Sequence, residues 1–428
     1  MDAAKQRPKG EGQDGPSHTF FQKVSSRILN LMPTVTISHT VSLPDPVKIA
    51  RFLKAPELGP RVLFFSGGTA LRDLSRELVR YTHNSTHLIT PFDSGGSSAK
   101  LRTTFKMLAV GDLRNRLMAL ADRSLHGNHE IYNLFAHRLP KDLGHDELMA
   151  LLAAMIEGRD PLVADVPDPM RKIIRSHLKF FRKAMAATDF DLRGASIGNL
   201  ILAGGFFNYN RQIDPVIYMF TMLVKARGTV RPIINKDLTL VAEMADGTLL
   251  AGQHLLTGKE GGPIAQPVKR VYLSENQQNL RPVAVNVRRK VKEQIRSAEL
   301  ICYPIGSFYS SLVANLLPMG VGDAISKAQC PKVFIPNPAG DPEQFGLGLG
   351  DSVRRLMEYL RASCTKPRPT QSLLNFVLLD RSKHYQTPLN LKQIEAMGIS
   401  VIEADLRSLE KPPYFDEQAV IEHLLSLA

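Results

Sequence analysis

Twice in quick succession an apolar run ends in a pair of glycines, and that pattern limits the fold more than any other feature of the chain. Arg61-Val62-Leu63-Phe64-Phe65 breaks at Ser66-Gly67-Gly68-Thr69 and passes into a helical pattern with Leu71, Leu74, Leu78 and Tyr81 on one face. His87-Leu88-Ile89-Thr90-Pro91-Phe92 ends at Asp93 and breaks into Ser94-Gly95-Gly96-Ser97-Ser98. Short continuous apolar runs read as strands buried on both faces, as in a parallel sheet. Glycine lets the backbone approach a ligand closely, and the helix that follows offers N–H groups to an anion. In an open parallel sheet such turns meet at the carboxyl ends of the strands, where ligands bind. Taken alone, Gly67-Gly68-Thr69 reads equally as a ligand loop and as a tight turn.

The second loop carries more chemistry. Asp93, Gly95, Gly96, Ser97 and Ser98 offer a carboxylate, backbone donors and hydroxyls within six residues. Asp112, Arg114 and Asn115 in Val110-Gly111-Asp112-Leu113-Arg114-Asn115 add a second carboxylate, a cation and an amide. Phosphate recognition with a divalent metal needs these groups. Asp93 is the candidate metal ligand, with Mg²⁺ as the expected ion, and Asp93 and Asp112 are the candidate catalytic carboxylates. Gly67, Gly68 and Thr69 would receive phosphate through backbone donors. Arg114 would offset its charge, and Asn115 would bond a base or sugar. Asp112 reads equally as a helix cap or as a structural partner of Arg114. Further on, Gly194-Ala195-Ser196-Ile197-Gly198-Asn199-Leu200 opens a helix. There Gly198 suits close packing against the sheet, and Asn199 reads either as a ligand contact or as a group satisfying local backbone.

The strand–turn–helix alternation recurs downstream. Leu300-Ile301-Cys302-Tyr303-Pro304-Ile305 leads into Gly306-Ser307-Phe308, and further strands are expected at Lys332–Asn337, Phe376–Asp380 and Ser400–Ala404. Leu238, Leu240 and Ala242 alternate before Asp246-Gly247, a hairpin signal. Gly346-x-Gly348-x-Gly350 has the wrong spacing for a dinucleotide fingerprint and reads as a loop before a helix. The expected fold is α/β: a Rossmann-like three-layer sandwich with a mostly parallel sheet, a helical insertion and a small β-hairpin lobe. The expected organisation is a disordered tail at 1–17, an N-terminal extension at 18–60 containing the strand-like run Val35–Ser38, and a nucleotide-binding half at 61–124. A helical insertion at 125–190 follows, and then the remainder of the core at 191–428, with the hairpin lobe at about 231–280.

Composition narrows the function classes. The net charge is +13, and part of the excess lies in Arg171, Lys172, Arg175, Lys179, Arg182 and Lys183, beside Ile173, Ile174, Phe180 and Phe181. That spacing predicts an amphipathic helix whose basic face is solvated. Zinc-finger, RRM and basic-zipper patterns are absent, which argues against a nucleic-acid partner. There is no apolar run of the ~18 residues a spanning helix needs, and no secretory pattern at the start. Cys302, Cys330 and Cys364 are too scattered for a disulfide frame or zinc site, so a reduced cytoplasmic setting is expected.

Several stretches together resemble the CofD-like family: SGGTALRDL, ITPFDSGGSSAKLR and VGDLRNRLMALAD, then GASIGNLIL, AEMADGTLLAG and ICYPIGSFYSSLVANLLPMGVGDAI, in the family's order. The wording is nearer to the YvcK-like gluconeogenesis factors, which bind nucleotide sugars, than to the 2-phospho-L-lactate transferases of coenzyme F420 synthesis. The resemblance implies that the Gly306-Ser307 turn packs around a nucleotide and that the helical insertion covers the cleft. It also implies a homodimer. The leading expectation is a transferase, in which a phospho-acyl group passes from a guanylyl donor to the deazaflavin Fo, releasing GMP. On the binding reading, the cleft holds a nucleotide sugar or dinucleotide and no chemistry occurs. A third reading makes the insertion and the basic helix an interaction surface. Both family branches carry paired aspartates where this chain has Asp93-Ser94, and a serine does not supply the second charge a metal needs. The aromatic acceptor-side motifs of the transferases are absent, and the chain contains no tryptophan.

Overall fold

The structure is a computed structural model that describes residues 40–124, 127–258 and 262–428. The expected tail at 1–17 and the strand-like run at Val35–Ser38 lie outside the described residues. Residues 42–428 form one compact body.

Its centre is a seven-stranded sheet in the order β10-β9-β8-β7-β1-β2-β3, parallel throughout. The strands are β1 Val62–Ser66, β2 Thr86–Ile89, β3 Thr229–Pro232, β7 Leu300–Tyr303, β8 Lys332–Phe334, β9 Phe376–Asp380 and β10 Ser400–Ala404. A separate antiparallel sheet contains β4 Thr239–Met244, β5 Leu249–Ala251 and β6 Val268–Ser274, in the order β5-β4-β6.

The apolar runs are continuous because both faces of the large sheet are covered. Val62, Phe64, Leu300 and Cys302 pack on one side with Leu71, Leu74, Leu78 and the C-terminal helix Glu417–Ser426. Leu63, Phe65, Ile301 and Tyr303 pack on the other with the small sheet and the helix Leu349–Ala362. A further core gathers the helices between β2 and β3: His129–Ala136, His145–Glu157, Met170–Met185, Ile197–Asn208 and Ile213–Leu223. The helical region therefore continues past residue 190 and returns to the sheet at β3.

The hairpin at Asp246-Gly247 forms as its dipeptide predicts. Gly247 has φ +88°, and the Met244 N–H donates to Thr248 O at 2.9 Å. The sequence did not reveal β3 or β6. β3 is a four-residue edge strand ending in proline, which only an edge tolerates. In β6, Lys269 and Arg270 interrupt the alternation, and both pair with Glu243 of the neighbouring strand.

Strand order places the site. From β1 the chain moves outward through β2 to β3, and its second half returns to the opposite side of β1 as β7 before moving outward to β10. The gap between β1 and β7 is thus a topological switch point, the crevice where open α/β sheets bind ligands. The turns at Gly67 and Gly306 follow directly from these two strands.

Candidate functional site

The three turns converge. A Cβ on Gly67 would lie 3.1 Å from Ser311 Oγ and 3.2 Å from Thr90 Oγ1, so this turn is pressed against both the β2 end and the helix after β7. Gly306, at φ +143°, faces Ala70, whose Cβ would be 3.9 Å from a Cβ placed there. Asn315 fastens the same corner by donating to Ser66 O at 2.9 Å and to Ser311 O at 2.8 Å. Thr69 beside it is exposed.

The Asp93 loop meets the start of the helix Gly111–Ala119. A Cβ on Gly111 would clash with Ser98 Oγ and stand 3.3 Å from Asp93 Oδ2, so only glycine permits this approach. The other oxygen, Asp93 Oδ1, accepts the Gly95 N–H at 3.0 Å. Asp112 is buried in the first turn of that helix, and its Oδ2 accepts the Gly68 N–H at 2.9 Å. A helix cap and an Arg114 pair were the two structural expectations for Asp112. Its carboxylate ties the first glycine turn to the start of the Gly111–Ala119 helix. The Gly68 N–H, expected to receive phosphate, is engaged with Asp112. The helix after this turn, Arg72–Leu78, is only seven residues long. The helix after the Asp93 loop, Gly96–Phe105, has ten residues, and Gly96 at its start faces open space. Ser97 Oγ accepts from Asn199 Nδ2 at 3.0 Å, while Asn199, 1% exposed, keeps its Oδ1 buried without a hydrogen-bond partner.

Arg114 was expected to offset phosphate charge. The structure turns it inward: it is 7% exposed and donates to Ser196 Oγ and Asn115 Oδ1. Burial pushes its guanidinium down to about 10, with Arg138 adding to the effect and Asp112 opposing it, so it remains charged at neutral pH. Gly198 makes room for it. A Cβ there would lie 2.8 Å from Arg114 Cδ and 2.7 Å from Phe135 O, so this glycine serves helix packing rather than approach to the sheet. Arg114 therefore sets the helix that carries Asn199.

The Gly306-Ser307 turn holds the largest departure. The backbone N–H groups that open the following helical stretch, Phe308–Val313, are taken by acidic side chains of the chain itself. Phe308 N–H donates to Asp341 Oδ2 at 2.6 Å, and Tyr309 and Ser310 N–H both donate to Glu343 Oε2 at 2.8 Å. Glu343 also accepts from the Ser310 hydroxyl. Burial, and then the neighbouring Asp341 charge, push Glu343 up to about 8, and burial pushes Asp341 up to about 6. The place a phosphate would occupy at this helix start is filled from within. Asp341 and Glu343 lie in a loop some thirty residues downstream, and no motif links them to Ser307.

Arg116 also went unread in the sequence. Arg116 is fully buried behind the first turn and donates to Leu71 O at 2.7 Å and to Ser75 Oγ. His254, on the short helix Gln253–Leu256 of the small lobe, meets Ser94: Ser94 Oγ and His254 Nδ1 are 2.7 Å apart. Arg102 braces the same loop by donating to Phe92 O at 2.8 Å and Asp93 O at 3.2 Å while pairing with Asp237 at 2.7 Å. Beyond Ser94 and Arg102 opens a cleft of about 370 Å³ lined also by Thr103, Asp237, Thr239 and Asn276. Among the described residues no three His, Cys, Asp or Glu side chains form a ready metal cage, and no helix is long and apolar enough to cross a membrane.

Comparison with known proteins agrees with this layout. The family described as "2-phospho-L-lactate transferase CofD" matches residues 62–409. The gluconeogenesis factor of Bacillus subtilis is 30% identical over 308 residues, covering 70% of this chain and 75% of that protein. The gluconeogenesis factor of Listeria monocytogenes is 27% identical over 364 residues, covering 83% and 91% respectively. A crystal structure of a Bacillus halodurans protein of the UPF0052 family superposes with a TM-score of 0.62 at 24% identity, covering 86% of this chain and 99% of that one. The family match begins at the first residue of β1 and runs beyond β10, taking in every strand of the large sheet. On this evidence the chain belongs to the CofD family.

Proposed function

We propose that this protein binds a phosphorylated nucleotide at the β1/β7 crevice and acts as a binding protein of the gluconeogenesis-factor kind. Its phosphates would lie against the start of the Gly96–Phe105 helix, between Asp93 and Asn199. The observation that carries this reading is the meeting of Asp93 Oδ2, Ser98 Oγ and the Gly111 helix start, with Asp112 next in sequence. The side chains of Asp93, Ser98 and Asp112 present oxygens, which suits a small hard dication arriving with ligand phosphates. Asp93 and Asp112 would hold Mg²⁺, and the ion would supply neutralisation of phosphate charge. Asn199 Oδ1, buried and without a partner, supports a ligand donor group at this end of the crevice.

The second reading is transfer of a phospho-acyl group from a guanylyl donor to Fo, with GMP leaving. The family description and the Asp93–Asp112 juxtaposition favour it. Against it stands Ser94, which occupies the place of a second aspartate and is committed to His254. Two measurements separate the readings. Thermal shift against uridine, guanosine and nicotinamide nucleotides, with and without Mg²⁺, should show stabilisation by one class. Incubation with Fo, Mg²⁺ and the guanylyl donor should release no GMP; sustained release would establish the transferase instead. Asp93→Asn should abolish the Mg²⁺-dependent part of the thermal shift, and an unaltered shift would remove Asp93 from the metal site.

A further inference from the structure

Ser94, in the loop after β2, and His254, on the short helix after β5, are separated by 160 residues, yet they share two hydrogen bonds. The His254 backbone N–H donates to Ser94 Oγ at 3.1 Å, and Oγ lies 2.7 Å from Nδ1 of the same residue. With Oγ accepting the backbone N–H, a second lone pair and the hydroxyl proton are left for Nδ1, so the side-chain bond forms with either ring tautomer. The local backbone is built for this contact. Gly252, at φ +117°, stands where a Cβ would lie 2.8 Å from His254 Cε1, 2.9 Å from Nδ1 and 3.1 Å from Ser94 Oγ, so only glycine lets the ring fold back onto the loop. The other side of the loop is held by Arg102, which grips the carbonyls of Phe92 and Asp93 and is itself anchored to Asp237 at the entry to β4. The small antiparallel lobe thus holds the Asp93 peptide from both flanks.

We infer that His254 is a positioning residue for the Asp93 carboxylate, acting through Ser94. Where a second aspartate would contribute charge, this chain contributes a clamp. Ser94 is engaged by His254, and the small lobe fixes the rotamer and height of Asp93 over Gly111. The inference rests on the proposed role of the Asp93 loop, and it assigns the small lobe a task in ligand binding: the lobe's seating on the loop and the quality of the dication site become one equilibrium.

The test uses the full chain and two readouts. Hydrogen–deuterium exchange of the ligand-free protein reads the clamp directly. His254→Ala should raise exchange across residues 93–98, and His254→Asn, whose amide can accept or donate in place of Nδ1, should restore protection. Titration with Mn²⁺ alone, followed by electron paramagnetic resonance, reads the consequence. His254→Ala should weaken Mn²⁺ binding by about tenfold, the worth of one hydrogen bond of about 1.4 kcal/mol, and His254→Asn should recover most of it. A purely structural histidine would lower stability without this recovery pattern. Unchanged exchange at 93–98 in a folded His254→Ala protein overturns the inference. Lost exchange protection with undiminished Mn²⁺ affinity overturns it equally. If the unmodified protein takes up no Mn²⁺, the dication reading of the site fails, and the exchange arm still decides whether the clamp exists.

Discussion

Glu343 is the residue whose chemistry departs furthest from its usual behaviour. It is 1% exposed and faces two backbone N–H groups, a serine hydroxyl and a second carboxylate, Asp341. Burial first, and the Asp341 charge second, raise it from the ordinary 4.5 to about 8. A group that prefers its proton more in the folded state stabilises the fold below the ordinary carboxyl range and loses that contribution as pH climbs through the raised value. Stability should therefore fall as pH rises from about 5 to about 9. Glu343→Gln keeps the acceptor and removes the charge. It should flatten the profile and be the more stable protein at about pH 9, by roughly 1–3 kcal/mol. Denaturant midpoints across that range check this, and a wild-type profile without slope would sink it. At this scale the candidate site was only half legible. Asp93, Gly95 and Ser98 announced themselves because their chemistry is packed into six residues. Glu343 and Arg116 did not, because nothing local marks a side chain whose partner is distant in sequence.

Among the elements, the helix pair Met170–Met185 and Ile197–Asn208 depends on one missing side chain. A Cβ on Gly204 would fall on the backbone carbonyl of His177. In an exposed helix interior Gly→Ala stabilises by about 0.5–1 kcal/mol through backbone entropy. Here a carbonyl that cannot rotate away reverses the sign, and Gly204→Ala should cost roughly 1–3 kcal/mol through overpacking. A denaturant midpoint at or above wild type would show that the two helices are free to separate. Helix periodicity in this region was plain from sequence. Leu148, Leu152 and Ile156 are buried as their spacing requires, although Leu151 is only half-buried. The close approach at Gly204 was not plain, since a glycine within a helical pattern does not say what lies against it.

For the whole molecule, the strand order decides where a ligand can sit. β1 and β7 are 238 residues apart, counting from Val62 to Leu300, yet they pair in register Val62↔Leu300, Leu63↔Ile301 and Phe64↔Cys302. The net charge of +13 is a separate property. On the Met170–Met185 helix, Ile174, His177, Leu178, Phe181 and Met185 are buried, while Lys179 and Lys183 are exposed. Replacing both lysines by glutamate should leave stability within about 0.5 kcal/mol per site, the usual range for surface positions. A substantially larger loss would mean that this face is covered rather than solvated.

Composition and order of residues were enough to define a parallel sheet covered on both faces, because a strand buried twice must be apolar at every position. They were enough to mark the loops as well, since paired glycines after an apolar run break a strand and free the backbone for a tight turn. Which N–H groups remain available to a ligand was settled only in three dimensions. Asp112 takes the one on Gly68, while Asp341 and Glu343 take those after Ser307. A hydrogen bond depends on distance and direction between atoms, and residues far apart along the chain acquire both only when it is folded.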